Sequence, residues 1–323
     1  MKIVDMHCDT ISQIYEERQQ GFSTELFQNH LQLDLARMKE SDYLLQNFAV
    51  FVDLEKTDSA YRSAKKQISL FYEELEKNAS LIVPVTTYSE ICSCRRSKRL
   101  CALLTLEEGA VCEGSLKKLH EFYDLGVRMM TFTWNYENVL GSPGEPADQK
   151  QPAGGLSPLG MEFLSEMESL GVIPDVSHLS DAGIGDVCRL AKKPIVASHS
   201  NAFCLCPRGR NLTDQRIRQI ANLGGVIGMN YYGPFLTTPT NDNPDCFGKI
   251  ADIVTHIRYV TNIGGMECVG LGSDFDGIDD NLELKDCSYM EHLIHALKKD
   301  GFCESEIDGI LGDNVLRVYR EWL

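Results

Sequence analysis

Eight short apolar runs recur along the chain, each rich in β-branched or large aliphatic residues: Ile3 to Asp9, Leu44 to Val52, Ala102 to Glu107, Val127 to Trp134, Val172 to His178, Pro194 to His199, Gly225 to Tyr231 and Cys268 to Asp274. Most end on a polar or charged residue. Between most of them lie amphipathic stretches of helix length, such as Ser59 to Asn78, Ser115 to Leu125, Gly160 to Leu170, Asp181 to Ala191, Asp214 to Leu223 and Phe247 to Ile263. Strands that are apolar almost throughout need cover on both faces, so this alternation predicts a parallel sheet wrapped by helices. Eight such units predict a closed α/β (β/α)8 TIM barrel. An open doubly wound sheet is the alternative, but no glycine-rich phosphate loop follows an early strand.

Two connections are too long and too rich in turn formers to be plain links, Val139 to Leu159 and Gly233 to Cys246. Both follow predicted strands on the side where barrel active sites lie, and are read as long βα loops covering the mouth. No repeat, low-complexity tract or linker divides the chain, so one barrel domain over residues 1–323 is expected. The tail, Glu304 to Leu323, reads as a helix turning Ile310, Leu311, Val315, Leu316 and Val318 inward.

The formal charge of −16 repels phosphate backbones and anionic headgroups, so neither nucleic acid nor a membrane surface is an expected partner. The start, MKIVDMHCDT, places charge ahead of any apolar run of signal length, and no run reaches a membrane span, which predicts a cytoplasmic protein. The 12 cysteines are scattered and read as free thiols. Cys92 with Cys94 and Cys204 with Cys206 lack the two-residue gap of a zinc ribbon.

The ends of the runs carry the chemistry, because carboxyl-terminal strand ends converge on one barrel mouth. The first run ends His7, Cys8, Asp9, and residues two apart on a strand face the same way, so His7 and Asp9 can reach one ion while Cys8 turns aside. His178 and His199 end the fifth and sixth runs, one βα repeat apart. Glu107 ends the third run and Asp274 the eighth, with Asp276 just beyond. Three imidazoles and several carboxylates around one mouth suit a divalent, borderline-soft cation such as zinc. His7, Asp9, Glu107, His178 and His199 exceed the three protein ligands usual for a single catalytic zinc, so a binuclear site with a bridging carboxylate follows. Such a pair supplies hydroxide at neutral pH and polarises a carbonyl, the chemistry of metal-assisted hydrolysis. Asn230 and Tyr231 end the seventh run and are expected to line the pocket.

With DMHCDT at the start, LTLEEG at Glu107, DVSHLS at His178, SHSNA at His199, RGRN at Arg210, GLGSDFDG at Asp274 and GILGDNVLRV near the tail, the chain resembles the renal (membrane) dipeptidase family almost end to end. The resemblance implies an amidohydrolase-type barrel with two Zn2+ ions per chain, one held by His7, Asp9 and Glu107 and the other by Glu107, His178 and His199. Glu107 is then the bridge. It further implies Asp274 as general base and then general acid, Arg210 as the group that binds the substrate's terminal carboxylate, and a homodimer. Arg208 is a neighbouring candidate for the role of Arg210. The implied activity is hydrolysis of short peptides with a free C-terminal carboxylate, D-residues tolerated at that position, by a metal-bridging hydroxide. In one place the chain departs from the family: where its best-known dipeptidases end the fourth strand with a substrate-contacting histidine, MMTFTWN places Trp134. An indole N–H donates a hydrogen bond but carries no proton or charge at neutral pH. Trp134 keeps open a second reading, hydrolysis of another small amide or lactam; a third, a metal-binding protein without catalysis, is disfavoured because every expected ligand and Asp274 are present.

Overall fold

The computed structural model describes residues 2–145 and 153–323. Nine parallel strands form one sheet: β1 (Ile3–Asp5), β2 (Tyr43–Phe51), β3 (Ile82–Pro84), β4 (Leu100–Glu107), β5 (Val127–Thr131), β6 (Ile173–Asp175), β7 (Val196–Ala197), β8 (Val226–Met229) and β9 (Val269–Leu271). The chain order β2-β1-β9-β8-β7-β6-β5-β4 closes on itself because β2 pairs with β4 from Leu45↔Cys101 to Phe51↔Glu107. The result is the (β/α)8 TIM barrel that the sequence pattern predicts. One strand was not foreseen. β3 is three residues long and lies against only the first residues of β4, outside the closed ring, while β5 takes the remainder of that edge.

Helices α1 (Thr10–Gln19), α2 (Leu35–Glu40), α3 (Ala60–Lys77), α4 (Tyr88–Ser97), α5 (Leu116–Asp124), α6 (Pro158–Leu170), α7 (Asp181–Leu190), α8 (Asp214–Asn222), α9 (Gly233–Leu236), α10 (Ile250–Gly264), α11 (Met290–Lys299), α12 (Glu304–Asp308) and α13 (Asn314–Trp322) complete the fold. Their starts follow side-chain chemistry: Ser59, Ser157, Ser180 and Thr213 each accept a backbone N–H of the first turn. Among the described residues no helix is long and apolar enough to cross a membrane.

Strand alternation sorts the core. Along β4, Leu100, Ala102, Leu104 and Leu106 pack outward in the layer between strands and helices, whereas Cys101 and Leu103 pack inside the ring. The same period of two carries Glu107 to the inner side, at the barrel's upper mouth. All 12 cysteines are free, and Cys8 packs in the outer core with its thiol toward the Asn47 carbonyl.

The lower end is closed by the tail. Ile310, Leu311, Val315, Leu316 and Val318 are all buried, as the sequence suggests, but the helix is broken by a π-turn at Gly309–Asp313. A Cβ on Gly312 would stand 2.7 Å from the Lys2 carbonyl oxygen, so this turn needs glycine to approach β1. Beneath the barrel, the Trp322 indole N–H donates to the Pro194 carbonyl at 2.8 Å, and the fully buried Tyr319 hydroxyl pairs with the Asn47 amide at 2.7 and 3.0 Å. Tyr319→Phe removes the hydroxyl and strands a buried amide, a loss of about 1–3 kcal/mol. Urea unfolding should show a lower midpoint at unchanged slope, and the folded variant should keep its activity because Tyr319 lies at the end opposite the mouth.

Candidate active site

Two buried aspartates shape the mouth by ending strands early. Asp5 Oδ1 accepts the backbone N–H of His7 at 3.2 Å and of Ser273 at 2.9 Å. Asp175 Oδ1 does the same for Ser177 at 3.0 Å and Ser198 at 2.9 Å. In each case a side chain replaces the ladder, so the backbone leaves the sheet with its N–H groups satisfied. Burial raises the pKa of both carboxyls. The consequence is that His178 and Asp274, expected at strand ends, sit just beyond them on left-handed backbone, with φ of 67° and 64°. Such strain in residues other than glycine clusters at functional sites.

The side chains converge on Glu107. Its Oε2 lies 3.2 Å from His7 Nε2, and its Oε1 lies 2.9 Å from His178 Nε2 and 3.7 Å from His199 Nε2. His7 Nε2 is also 3.2 Å from Asp9 Oδ2 and 3.7 Å from Asp274 Oδ1. Donor atoms of His7, Glu107 and His199 lie mutually within 4.8 Å, as do those of His7, Asp9 and Asp274. These two triads share His7 and differ in membership from the ligand pairs that the family likeness implies. The five residues expected as ligands are nevertheless brought together, all buried.

Hydrogen bonds behind the imidazoles fix their tautomers. Ser198 Oγ gives its proton to Asp175 Oδ2, so at 2.8 Å from His199 Nδ1 it accepts the ring N–H. Asn135 Oδ1 accepts from His178 Nδ1 at 3.0 Å. Both Nε2 atoms are then left as bare lone pairs, and they face each other at 2.9 Å with no proton to share. Burial, with Arg210 next, lowers the His178 pKa to about 3, and burial with His7 holds His199 well below its ordinary value. Burial opposes charge on His7 as well, but the Glu107 and Asp9 carboxylates outweigh it and raise its pKa. Glu107 is held below the usual carboxylate range, its burial overcome first by the charge on His7.

Three features fit a cation at this place. Asp9 Oδ1 is buried with no hydrogen-bond partner among the described residues. Two imidazole lone pairs point at one space. Gly277 leaves a cradle beside the carboxylates, where a Cβ would stand 2.2 Å from Asp9 Oδ2 and 2.7 Å from Asp274 Oδ1. Mixed imidazole and carboxylate donors suit zinc and similar divalent ions.

A cavity of about 410 Å³ opens above these groups. Asp274 borders it, its Oδ2 accepting from Asn230 Nδ2 at 2.8 Å, and burial together with the Glu107 charge pushes its pKa up to about 6. Arg210 also lines the cavity, 4% exposed, with Nη2 on the His199 carbonyl at 3.2 Å and Nε without a partner among the described residues. Arg208, the alternative considered, does not reach the cavity and donates to the Pro234 carbonyl at 3.3 Å. Trp134 forms part of the wall, 4.8 Å from the Phe51 ring and 6.1 Å from that of His178.

The expectation that Asn230 and Tyr231 line the pocket gives way to a different placement. Asn230 is fully buried behind Asp274, and Tyr231 is fully buried with its ring 5.7 Å from Phe275. After β8 the chain turns, and it is Tyr232 that faces the cavity. Of the two long loops, Gly233 to Cys246 contributes Phe235 to the wall. The described parts of Val139 to Leu159 instead buttress His178, Gly144 N–H donating to its carbonyl at 2.7 Å, and residues 146–152 of that expected loop lie outside the described residues. Asp276 is at the cavity edge, but its oxygens are taken by Thr10 and the Gln32 N–H at 2.5 and 2.6 Å. Sequence reasoning did not assign Asp5, Asp175, Asn135, Ser198 or Gly277. The only signal for the first two is a shared spacing, an aspartate two residues before the position where each strand turns away.

Residues 1–322 match the family model described as membrane dipeptidase, peptidase family M19. A protein of Klebsiella pneumoniae from the pqqA 5' region is 34% identical over 79% of this chain and 94% of its own length. A Schizosaccharomyces pombe dipeptidase is 29% identical over 99% of this chain and 80% of its own. Among solved structures, a Rhodobacter sphaeroides metallopeptidase liganded with a phosphinate mimic of L-Ala-D-Ala superposes with a TM-score of 0.89 at 23% identity, over 100% of this chain and 99% of that one. The chain thus belongs to the membrane dipeptidase family, peptidase family M19, and is a metal-dependent hydrolase.

Proposed function

We propose that the chain is a binuclear zinc dipeptidase, with His7, Asp9 and Glu107 holding one ion and Glu107, His178 and His199 the other. The observation that carries this reading is the split environment of Glu107, whose oxygens face His7 on one side and two bare imidazole nitrogens on the other. When bound, the pair supplies Lewis acidity, lowering the pKa of water toward ~7 and polarising a carbonyl.

The chain's own groups do the rest. Asp274, held by Asn230 through one oxygen and beside His7 through the other, takes a proton from the attacking water and delivers it to the leaving amine. Arg210 binds the substrate's terminal carboxylate, and its unpartnered buried Nε is the donor such a contact would satisfy. Trp134 and Phe51 give the substrate an apolar wall and limit water around the scissile bond. A D-residue at the C-terminal position is accepted, a reading supported by the L-Ala-D-Ala mimic in the Rhodobacter sphaeroides relative. Trp134, where the family places a histidine, favours a second reading in which the same centre cleaves another small amide.

The deciding measurement is hydrolysis of L-Ala-D-Ala, L-Ala-L-Ala, L-Ala-D-Glu and an N-acetylated control by protein of known zinc content. Zinc-dependent cleavage of the free dipeptides alone is expected. Two bound ions with no member cleaved would transfer the centre to the second reading, and equal turnover by metal-free protein would overturn both. Glu107→Gln should lose metal as well as activity, measured by elemental analysis; two tightly held ions would remove it as the bridge. Asp274→Asn should keep the metals and lose roughly 10²–10⁴-fold in turnover, whereas an unimpaired rate would take it out of the mechanism.

A further inference from the structure

His256 lies on α10, away from every motif named above, and is 1% exposed. Its ring joins two segments that face the substrate cavity. Nδ1 accepts the backbone N–H of Ala202 at 3.0 Å, and Nε2 stands 3.0 Å from the Leu236 carbonyl oxygen. Ala202 offers only a donor and Leu236 only an acceptor, so these partners demand a neutral ring carrying its proton on Nε2. Burial lowers the His256 pKa, in keeping with that state.

Each partner belongs to a segment with a cavity-lining residue. Ala202 opens the loop that returns through Arg210 and is closed by a bridge to Leu212, with Phe203 N–H on the Leu212 carbonyl at 2.9 Å. Leu236 ends α9, the turn that carries Phe235. The Arg210 guanidinium lies over the Phe235 ring, 5.5 Å from its centroid. The two segments are also tied to each other, since Asn211 Nδ2 donates to the Phe235 carbonyl at 2.8 Å and Arg208 Nε to the Pro234 carbonyl at 3.3 Å. Asn201, next to Ala202, ties this pair of segments to the end of β8, its Nδ2 donating to the Asn230 carbonyl at 3.0 Å and its Oδ1 accepting the Asn230 N–H at 3.1 Å. His256 adds a second attachment that reaches both segments at once, fastening Ala202 and Leu236 to α10, a 15-residue helix packed on β8 and β9.

We propose that His256 is a positioning residue for substrate binding, setting the height of Arg210 and Phe235 over the cavity through its bonds to Ala202 and Leu236. This rests on the reading of Arg210 as the carboxylate-binding group. The role is distinct from catalysis, because the ring touches neither the cavity nor the expected metal ligands.

The test measures kcat and KM for a free dipeptide and for the matching dipeptide amide, with metal content determined throughout. His256→Leu removes both hydrogen bonds. It should raise KM for the free dipeptide about tenfold, leave kcat within about twofold and the metals in place, and scarcely change kcat/KM for the amide. His256→Gln, which offers one acceptor and one donor, should restore most of the loss. In an Arg210→Ala background, His256→Leu should add little, because the two act through one contact. If leucine is not accommodated, His256→Met makes the same removal. An unchanged KM in a folded His256→Leu variant, equal losses on acid and amide, or no rescue by glutamine would overturn the inference. An Arg210→Ala variant that treats acid and amide alike would instead overturn the reading on which it rests.

Discussion

Glu107 is the group on which the arrangement of the mouth depends. A carboxylate 3% exposed, at the end of a strand paired on both sides, has no water to solvate it and little freedom to move. Its charge must be met by neighbours, and buried charges left unmet cost several kcal/mol. His7 alone cannot meet it, because Asp9 and Asp274 compete for the same imidazole. The other oxygen faces two rings whose tautomers leave lone pairs there in place of protons. Without cations this is a cluster of excess acceptors; with them, every acceptor gains a partner. Binding of the proposed metals would then be coupled to the integrity of the upper barrel by electrostatics.

That cluster is held by a shell set by the barrel's geometry. Period-two alternation along β4 turns Glu107 inward, and Asp5 and Asp175 end β1 and β6 so that His7 and His178 leave the sheet at defined points. Asp175 then reaches further, through Ser198, to choose the proton position on His199. One buried carboxylate thus satisfies two backbone N–H groups and fixes the chemistry of a third group. The remaining charge on each aspartate is offset by these bonds in a place where burial raises both pKa values.

The barrel was legible because apolar strands and amphipathic helices alternate with different periods, and that signal survives without coordinates. β3 escaped because three residues, Ile82 to Pro84, are too few to show a period. The residues of the mouth were legible as polar endings to apolar runs, yet their backbone was not: φ near 65° at His178 and Asp274 goes with strands cut short by cross-strand bonds from Asp175 to the Ser198 N–H and from Asp5 to the Ser273 N–H, which no local pattern displays. Tyr231 shows the same limit. It ends an apolar run, the position that elsewhere faces the mouth, but after β8 the Asn230 side chain accepts the Tyr232 N–H at 2.7 Å, and the turn so formed brings Tyr232 to the cavity. The tail's inward residues were readable from helical spacing, whereas its π-turn answers to the close approach of Gly312 to β1.

Reaction and recognition are assigned to different parts of the fold. The groups proposed to react stand at strand ends, where ladder bonds and aspartate side chains leave them little freedom. Arg210, Phe235 and Trp134 stand on connections, whose positions are less determined by the sheet. Trp134 is restrained through its backbone N–H, which donates to Glu108 Oε2 at 3.0 Å, a carboxylate adjacent in sequence to Glu107. Among the described residues the Arg210 side chain is hydrogen-bonded through Nη2 to the His199 carbonyl, just beyond β7. In the proposed role, a guanidinium meeting a carboxylate bidentately tolerates little displacement, so an anchor outside its loop would serve it. A buried neutral imidazole on α10 meets that need without adding charge near a centre already crowded with it.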